Sequence, residues 1–201
     1  METPFGMVPS RQAGGGADTL AVQLIALVNS PMSVDSAPVR DTLRAMLAVP
    51  VARRVLAIDG PPADWLPAGF EFMAQRGGDF GDRMAGALAD AYALAALPML
   101  LVRADALDMT PDVLADAARS LLSGEADAAF GPASDGGFWL LGLRRPDRSL
   151  VAGIPGTAPG GAPAAGAGRV LLDRLASAGL RVALAPRLDI GDVLAGRSPL
   201  N

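Results

Sequence analysis

Carboxylate side chains that follow apolar runs are the residues of this 201-residue sequence best placed to do chemistry. Asp105 ends the run PMLLVRAD, and together with Asp108 it could supply oxygen ligands to a divalent cation. Asp108 is more simply explained as a turn residue before a helix. Asp189 and Asp192, in RLDIGDVLAG, form either a second carboxylate pair or a helix cap, and the sequence favours neither.

The segment GPASDGGF places Asp135 before two glycines, Gly136 and Gly137. Two glycines let the backbone approach a ligand closely and leave the Asp135 carboxylate accessible. The same Asp-Gly pair is typical of a hairpin turn. By composition alone, the turn is the favoured interpretation.

A glycine-rich turn within QRGGDFGDRM precedes a predicted helix. Free backbone N–H groups at the start of a helix can bind phosphate, and Arg76 or Arg83 would add positive charge there. The alternative for both arginines is an exposed position on the protein surface. A single turn of this kind is weak support for a phosphate site.

Composition excludes several classes of function. The chain has 17 basic residues, all of them Arg, and 21 acidic residues, and it contains no Lys, His or Cys. A Ser-His-Asp triad, a Cys/His zinc site and a Schiff-base lysine are therefore excluded. Any metal would be a hard ion such as Mg²⁺ or Mn²⁺, held by oxygen. The net charge of −4 argues against a nucleic-acid partner.

The apolar runs are too short to span a bilayer, and the N-terminus lacks the residue order of a signal peptide. We therefore expect no membrane partner and a cytoplasmic location, with which the absence of Cys is consistent. Residues 1–18, with three consecutive glycines, are expected to form a flexible tail. Residues 19–201 are expected to form one domain, with a mobile loop over 151–168 that is rich in Gly, Ala and Pro.

Strand-like apolar runs alternate with helix-like segments along the chain. The predicted strands are 20–28, 53–59, 70–75, 98–105, 126–133, 137–143 and 180–186. The predicted helices are 39–49, 83–94 with Asp82 as a cap, 111–122 with Thr110 as a cap, and 169–178. The aromatic residues expected in the core are Phe70, Phe72, Phe138, Trp65 and Trp139. This order predicts an α/β fold with a mostly parallel sheet, whose ligands bind outside the carboxyl ends of the strands.

Four segments together resemble one family: FEFMAQRGGDFGDRMAGAL, LLVRADALDMTPDVLADAARSL, ADAAFGPASDGGFWLLGLRRPD and GLRVALAPRLDIGD. They are similar to the bacterial glycosyltransferase-like proteins of GT-A fold called radical-SAM/selenodomain-associated transferases, a domain of unknown function. The resemblance covers roughly residues 20–192 and is densest over 70–147. It implies a Rossmann-like fold of the nucleotide-diphospho-sugar transferases, with a nucleotide diphosphate held through Mg²⁺ or Mn²⁺.

The resemblance also implies site residues by position. Asp105 matches the Asp of a G-x-D-[ST]-P strand end, Asp135 the Asp of a DGG turn, and Asp189 the first Asp of a late D-x-D. These three are the expected metal ligands, with Asp105 and Asp135 as catalytic residues. The expected nucleotide-binding residues are Gln75, Arg76, Gly77, Gly78, Arg83, Gly136 and Gly137.

The sequence departs from the family pattern at three places, and one of them is the late D-x-D, which reads Asp189-Ile190-Gly191 here. A basic P-x-P-G-[RK]-x-K-T-R-L loop usually follows the first strand, and this chain has NSPMSVDSAPVRDTLRAML there instead. Arg103 stands where the pattern has a Gly two residues before the Asp. Losing cations should weaken the binding of a diphosphate, because its charge then has fewer partners.

Two classes of function remain open from the sequence. The first is an enzyme that transfers a glycosyl group from a nucleotide sugar to a small acceptor, or a nucleotidyltransferase on the same fold. The second is a catalytically inactive or repurposed homologue that acts as a binding protein. The sequence leaves a homodimer open.

Overall fold

The computed structural model describes residues 18–28, 36–60, 67–157 and 163–191. The predicted tail, except Asp18, therefore lies outside the described residues, as do Trp65, Asp192 and residues 29–35 of the segment that replaces the basic loop. Within the described ranges, no helix has the length and apolar character needed to cross a membrane.

One seven-stranded sheet forms the centre of the molecule. Its strands are β1 (Leu20–Val28), β2 (Val51–Ile58), β3 (Glu71–Ala74), β4 (Met99–Arg103), β5 (Ala128–Pro132), β6 (Phe138–Leu143) and β7 (Val182–Leu184). They lie in the order β3-β2-β1-β4-β6-β5-β7. Among these strands, β6 runs antiparallel to both neighbours and the other pairs are parallel. The predicted mostly parallel α/β sheet is confirmed.

Helices cover both faces of the sheet. They are α1 (Ala37–Ala48), α2 (Phe80–Leu94), α3 (Pro111–Leu122), α4 (Arg148–Val151) and α5 (Ala167–Ser177). The buried residues of α1 and α3 pack on one face, and those of α2, α4 and α5 pack on the other. Because both faces are covered, the central strands β1, β4 and β6 are mostly apolar rather than alternating, and their polar exceptions are Gln23 in β1 and Arg103 in β4.

Helix α2 begins three residues earlier than predicted. Its N-cap is Asp79, whose side chain accepts a hydrogen bond from the backbone N–H of Asp82 at 2.7 Å, so the prediction of Asp82 as the cap is wrong. Both residues are acidic, and only the backbone conformation distinguishes the cap from the first turn. At α3 the prediction is confirmed, because Thr110 caps the helix and Pro111 is its first residue.

Aromatic side chains lie in the core, as predicted. Phe138 and Trp139 have no exposed surface, and Phe70 is buried. Phe72 is partly buried against the same core as Trp139. The indole N–H of Trp139 donates to the backbone carbonyl of Pro186 at 2.9 Å, which satisfies its one polar atom.

The ends of the predicted mobile loop over 151–168 belong to helices. Val151 is the last residue of α4, and Ala167 begins α5. Between them, Ala164 donates to the carbonyl of Pro155 at 2.9 Å. Residues 158–162 lie outside the residues that the structure describes.

Candidate functional site

The guanidinium of Arg103 joins the two predicted catalytic carboxylates. Its Nε and Nη2 donate to Oδ1 and Oδ2 of Asp105, each at 2.9 Å. Its Nη1 donates to Oδ2 of Asp135 at 2.7 Å. We call these three residues the Arg103 cluster. The structure thus brings Asp105 and Asp135 together, and it places a third, unpredicted residue between them.

The sheet explains why residues so distant in sequence meet. Arg103 is the last residue of β4, and Asp105 lies two residues later in the turn that follows. Strand β6 pairs with β4, with Val102 opposite Leu140. The turn that leads into β6 therefore lies beside the residues that leave β4, and this turn carries Asp135.

Asp135 serves both the turn and the cluster. Its Oδ1 accepts from the backbone N–H of Gly137 at 2.9 Å, while Oδ2 faces Arg103. The turn needs Gly136 because its φ is +80°. The carbonyl of Gly136 accepts from the N–H groups of Gly166 and Gly168 at 3.1 and 3.2 Å, which seats the start of α5 on the turn. Asp135 can therefore stabilise the turn with one oxygen and belong to the candidate site with the other.

Charge and burial make Arg103 a permanent cation. Its side chain is 5% exposed, against 18% for Asp105 and 36% for Asp135. Burial by itself lowers the pKa of Arg103, but the hydrogen bonds and charges of Asp105 and Asp135 outweigh it and raise the pKa above its ordinary value. With one positive and two negative side chains, the Arg103 cluster is net negative.

Asp189 lies beside the cluster through its backbone. Its carbonyl accepts from the N–H of Leu107 at 2.8 Å, and the N–H of Gly191 donates to the carbonyl of Asp105 at 2.8 Å. The Asp189 side chain is exposed. No group of three or more acidic residues that could hold a metal ion occurs among the described residues. The expected set of Asp105, Asp135 and Asp189 therefore does not form.

Mg²⁺ or Mn²⁺ does not fit the Arg103 cluster as it is arranged. Both oxygens of Asp105 and one oxygen of Asp135 already accept hydrogen bonds from the guanidinium. A divalent ion would need the same lone pairs, at metal–oxygen distances of about 2.0–2.3 Å, in the space that the guanidinium occupies. The pair of carboxylates has a cation already.

Gln75 connects the ends of two strands. Its Nε2 donates to the carbonyls of Val28 and Ala57 at 2.7 and 2.8 Å. Its backbone N–H donates to the carbonyl of Ile58 at 2.8 Å. Its Oε1 is buried and has no hydrogen-bond partner among the described residues. The amide nitrogen, by contrast, is committed to the sheet.

The glycine-rich turn before α2 differs from a simple phosphate cradle. Two carboxylates, those of Asp79 and Asp82, already lie at the helix start and would repel a phosphate. Gly77 has a φ of +118°, which favours glycine there. An added Cβ at Gly78 would meet no atom within 4 Å, so the backbone there is open to a ligand.

The two arginines of this turn differ in their surroundings. Arg76 forms an ion pair with Asp90 and is 70% exposed. Arg83 is 6% exposed and its Nη1 donates to the carbonyl of Gly78 at 3.3 Å. The surface interpretation of Arg83 is therefore wrong, and its charge lies beneath the turn.

Arg103 is the site residue that sequence reasoning did not assign. The signal was present, because an arginine ends a strand that is otherwise apolar, two residues before an Asp. A charged residue is rarely buried unless it is paired, and that rule points to a partner nearby. The sequence alone does not show that the partners are Asp105 and Asp135.

Several solved structures share this fold at low sequence identity. A protein of Desulfovibrio desulfuricans G20 assigned to the nucleotide-diphospho-sugar transferases superposes with a TM-score of 0.68 at 22% identity, over 87% of this chain and 83% of that one. Glucosyl-3-phosphoglycerate synthase from Mycobacterium tuberculosis, with Mn²⁺, uridine diphosphate and glucosyl-3-phosphoglycerate, gives 0.53 at 14% identity, over 85% and 70%. CMP:2-keto-3-deoxy-manno-octonic acid synthetase with CTP gives 0.54 at 13%, over 84% and 90%. The chain thus has the GT-A-like fold of nucleotide-sugar transferases.

Sequence comparison gives the family. The family described as "Uncharacterized protein conserved in bacteria (DUF2064)" matches residues 39–156. This span is more than half of the chain, and the protein belongs to that family. It contains α2, β4 and the Asp135 turn, which are the elements that form most of the site. No curated protein sequence matches the chain.

Proposed function

We propose that the protein is a transferase that moves a glycosyl group from a nucleotide sugar to a small acceptor. The observation that supports this most is the convergence of Asp105 and Asp135 on one guanidinium, at the carboxyl edge of the sheet. Ligands of open α/β sheets bind at that edge. Both carboxylates are partly exposed, so both can reach a bound molecule.

Charge suggests how the donor is placed. The Arg103 cluster is net negative, so it favours the hydroxyl groups of a sugar over a diphosphate. The base of the nucleotide then lies toward Gly78, where the backbone is open.

Asp135 is the residue we propose as the base. Its carboxylate is the more exposed of the two, and the turn fixes it through Gly137. The acceptor hydroxyl gives its proton to Asp135 as its oxygen bonds to the anomeric carbon of the sugar. The bond from that carbon to the diphosphate oxygen breaks, and the nucleoside diphosphate leaves with the electron pair. Arg103 and Asp105 hold Asp135 in position.

Two alternatives each have a supporting observation. Nucleotidyl transfer is compatible with the fold, which the CTP-bound synthetase shares. A binding protein without turnover is favoured by the ion pairs that already occupy Asp105. In that case the site would hold a ligand and convert nothing.

Turnover of nucleotide sugars tests the proposal. The purified protein is incubated with UDP-, GDP-, CDP- and dTDP-sugars and a panel of small polyols and hydroxy acids, and release of the nucleoside diphosphate is measured. We expect release that Asp135→Asn abolishes and that Asp127→Asn, a matched change at the opposite end of β5, leaves intact. Binding of a nucleotide sugar without release supports the binding protein. Release of pyrophosphate in a parallel incubation with a nucleoside triphosphate supports nucleotidyl transfer.

A further inference from the structure

We infer that Arg103 is the resident cation of this site and takes the place of a divalent metal ion between Asp105 and Asp135. The inference concerns the ion chemistry of the site and holds whether or not the protein transfers a sugar. It starts from geometry, because three guanidinium nitrogens contact three oxygens of the two carboxylates at 2.7–2.9 Å.

The guanidinium does for the carboxylates what a metal would do. It neutralises part of their charge, holds them at a fixed separation and satisfies their inward-facing oxygens. The planar fork matches the two oxygens of Asp105, a geometry that a lysine could not provide. The cluster is therefore complete without an ion.

Displacing the guanidinium would be unfavourable. The Arg103 side chain is 5% exposed, so moving it aside would leave a buried charge without its partners. Its charge persists across the usable pH range, because the pKa of an arginine lies far above it. A metal ion therefore competes with a partner that is covalently attached and always present.

The remaining oxygens do not make a second site. Asp135 Oδ1 accepts from the N–H of Gly137, and no third acidic side chain joins the pair within the described part of the chain. Mg²⁺ and Mn²⁺ prefer about six oxygen ligands. Arg103 already contacts three of the four carboxylate oxygens, so at most one oxygen, Oδ1 of Asp135, would remain for a metal ion.

A titration of Mn²⁺ into the full chain, followed by the electron paramagnetic resonance signal of the free ion and without any nucleotide, tests this inference. We expect the wild-type protein to bind no Mn²⁺ at Asp105, so the Asp105→Asn substitution should leave its Mn²⁺ titration unchanged. For Arg103→Gly, which frees the carboxylates, we expect one Mn²⁺ per chain, bound at least about tenfold more tightly than by the wild type. The double variant Arg103→Gly/Asp105→Asn should lose that ion again.

Two results would overturn the inference. One is a wild-type protein that binds one Mn²⁺ lost in Asp105→Asn. The other is a folded Arg103→Gly protein that gains no ion. If Arg103→Gly does not fold, Arg103→Gln takes its place, because glutamine removes the charge while retaining an amide. The wild-type titration is in addition a test that needs no variant at Arg103. Because no nucleotide is present, failure of the proposed transfer reaction would leave these results unchanged.

Discussion

Arg103 and Asp105 lie two residues apart at the end of one strand, and the guanidinium of the first contacts both carboxylate oxygens of the second at 2.9 Å. This local pair then reaches Asp135, which lies 32 residues further along the chain from Arg103. A short-range contact thus orients a long-range one. The relationship turns two carboxylates at a sheet edge into a rigid cluster with its own cation.

Removing the guanidinium should destabilise the fold. Arg103→Met keeps a similar length and leaves two carboxylates facing one another without a cation. We expect the free energy of unfolding in urea to fall by about 3 kcal/mol, which is typical of breaking a buried ion pair. Arg76→Met is the matched control, because Arg76 also pairs with an Asp but is 70% exposed. That control should cost less than about 1 kcal/mol. Equal losses in the two variants would contradict the role of burial.

The two roles of Asp135 can be separated by two substitutions. Asp135→Asn keeps an oxygen for the N–H of Gly137 and loses the charge, whereas Asp135→Ala loses both. Both variants should lose turnover, and the alanine variant should be less stable than the asparagine variant by about 1 kcal/mol. Urea unfolding of the pair measures the difference. An asparagine variant that retains turnover would mean that Asp135 is not the base.

The contact between α5 and the Asp135 turn depends on Gly168. A Cβ at Gly168 would lie 2.2 Å from the carbonyl oxygen of Gly137, and backbone cannot move aside cheaply. Gly168→Ala would gain up to about 1 kcal/mol of helix propensity. The clash costs about 1–3 kcal/mol or more and should outweigh that gain.

Thermal unfolding measures the effect, with Gly78→Ala as the control. A Cβ at Gly78 meets nothing within 4 Å, so its melting temperature should stay unchanged. A Gly168→Ala protein that melts at the wild-type temperature or above would contradict the close contact between α5 and the carbonyl oxygen of Gly137.

Acid titration should reveal one surface ion pair. Hydrogen bonds from Arg181 lower the pKa of Asp127 from its ordinary value to about 2. Because the folded value is depressed, the contribution to stability is fully present above the unfolded pKa of about 3.9 and is lost as the pH falls through about 2.

The comparison is between wild type and Asp127→Asn, unfolded in urea from pH 7 to pH 2. We expect the wild type to be more stable at pH 7, by an amount that stays constant down to about pH 4 and then shrinks. A difference that grows as the pH falls would contradict a depressed pKa for Asp127 in the folded protein.

Local pattern predicted most of the fold. Continuous apolar runs identified the seven strands, and Thr110-Pro111 marked the start of α3, because each signal lies within a few neighbouring residues. The start of α2 was misplaced because Asp79 and Asp82 are equally good caps by type. Only the backbone conformation of the folded chain separates them.

The site was harder to predict than the fold. Asp105 was identified as the end of an apolar run and Asp135 only through the family resemblance, and the sheet order brings the two together. The part played by Arg103 could not be predicted, because it depends on which strand lies beside β4 and on the direction of a buried side chain. Asp189 was predicted to contribute its carboxylate, but the structure brings its backbone to the segment around Asp105 and leaves its side chain exposed.

Calorimetric binding of nucleotide sugars tests the central claim most directly. UDP-, GDP-, CDP- and dTDP-sugars are titrated into the wild type, Asp135→Asn and Asp127→Asn, in buffer that contains EDTA. We predict that at least one nucleotide sugar binds the wild type, Asp127→Asn and Asp135→Asn with similar affinity, because Asp135 acts on the acceptor hydroxyl and its loss removes turnover rather than donor binding. No heat of binding by the wild type across the whole panel would contradict the claim.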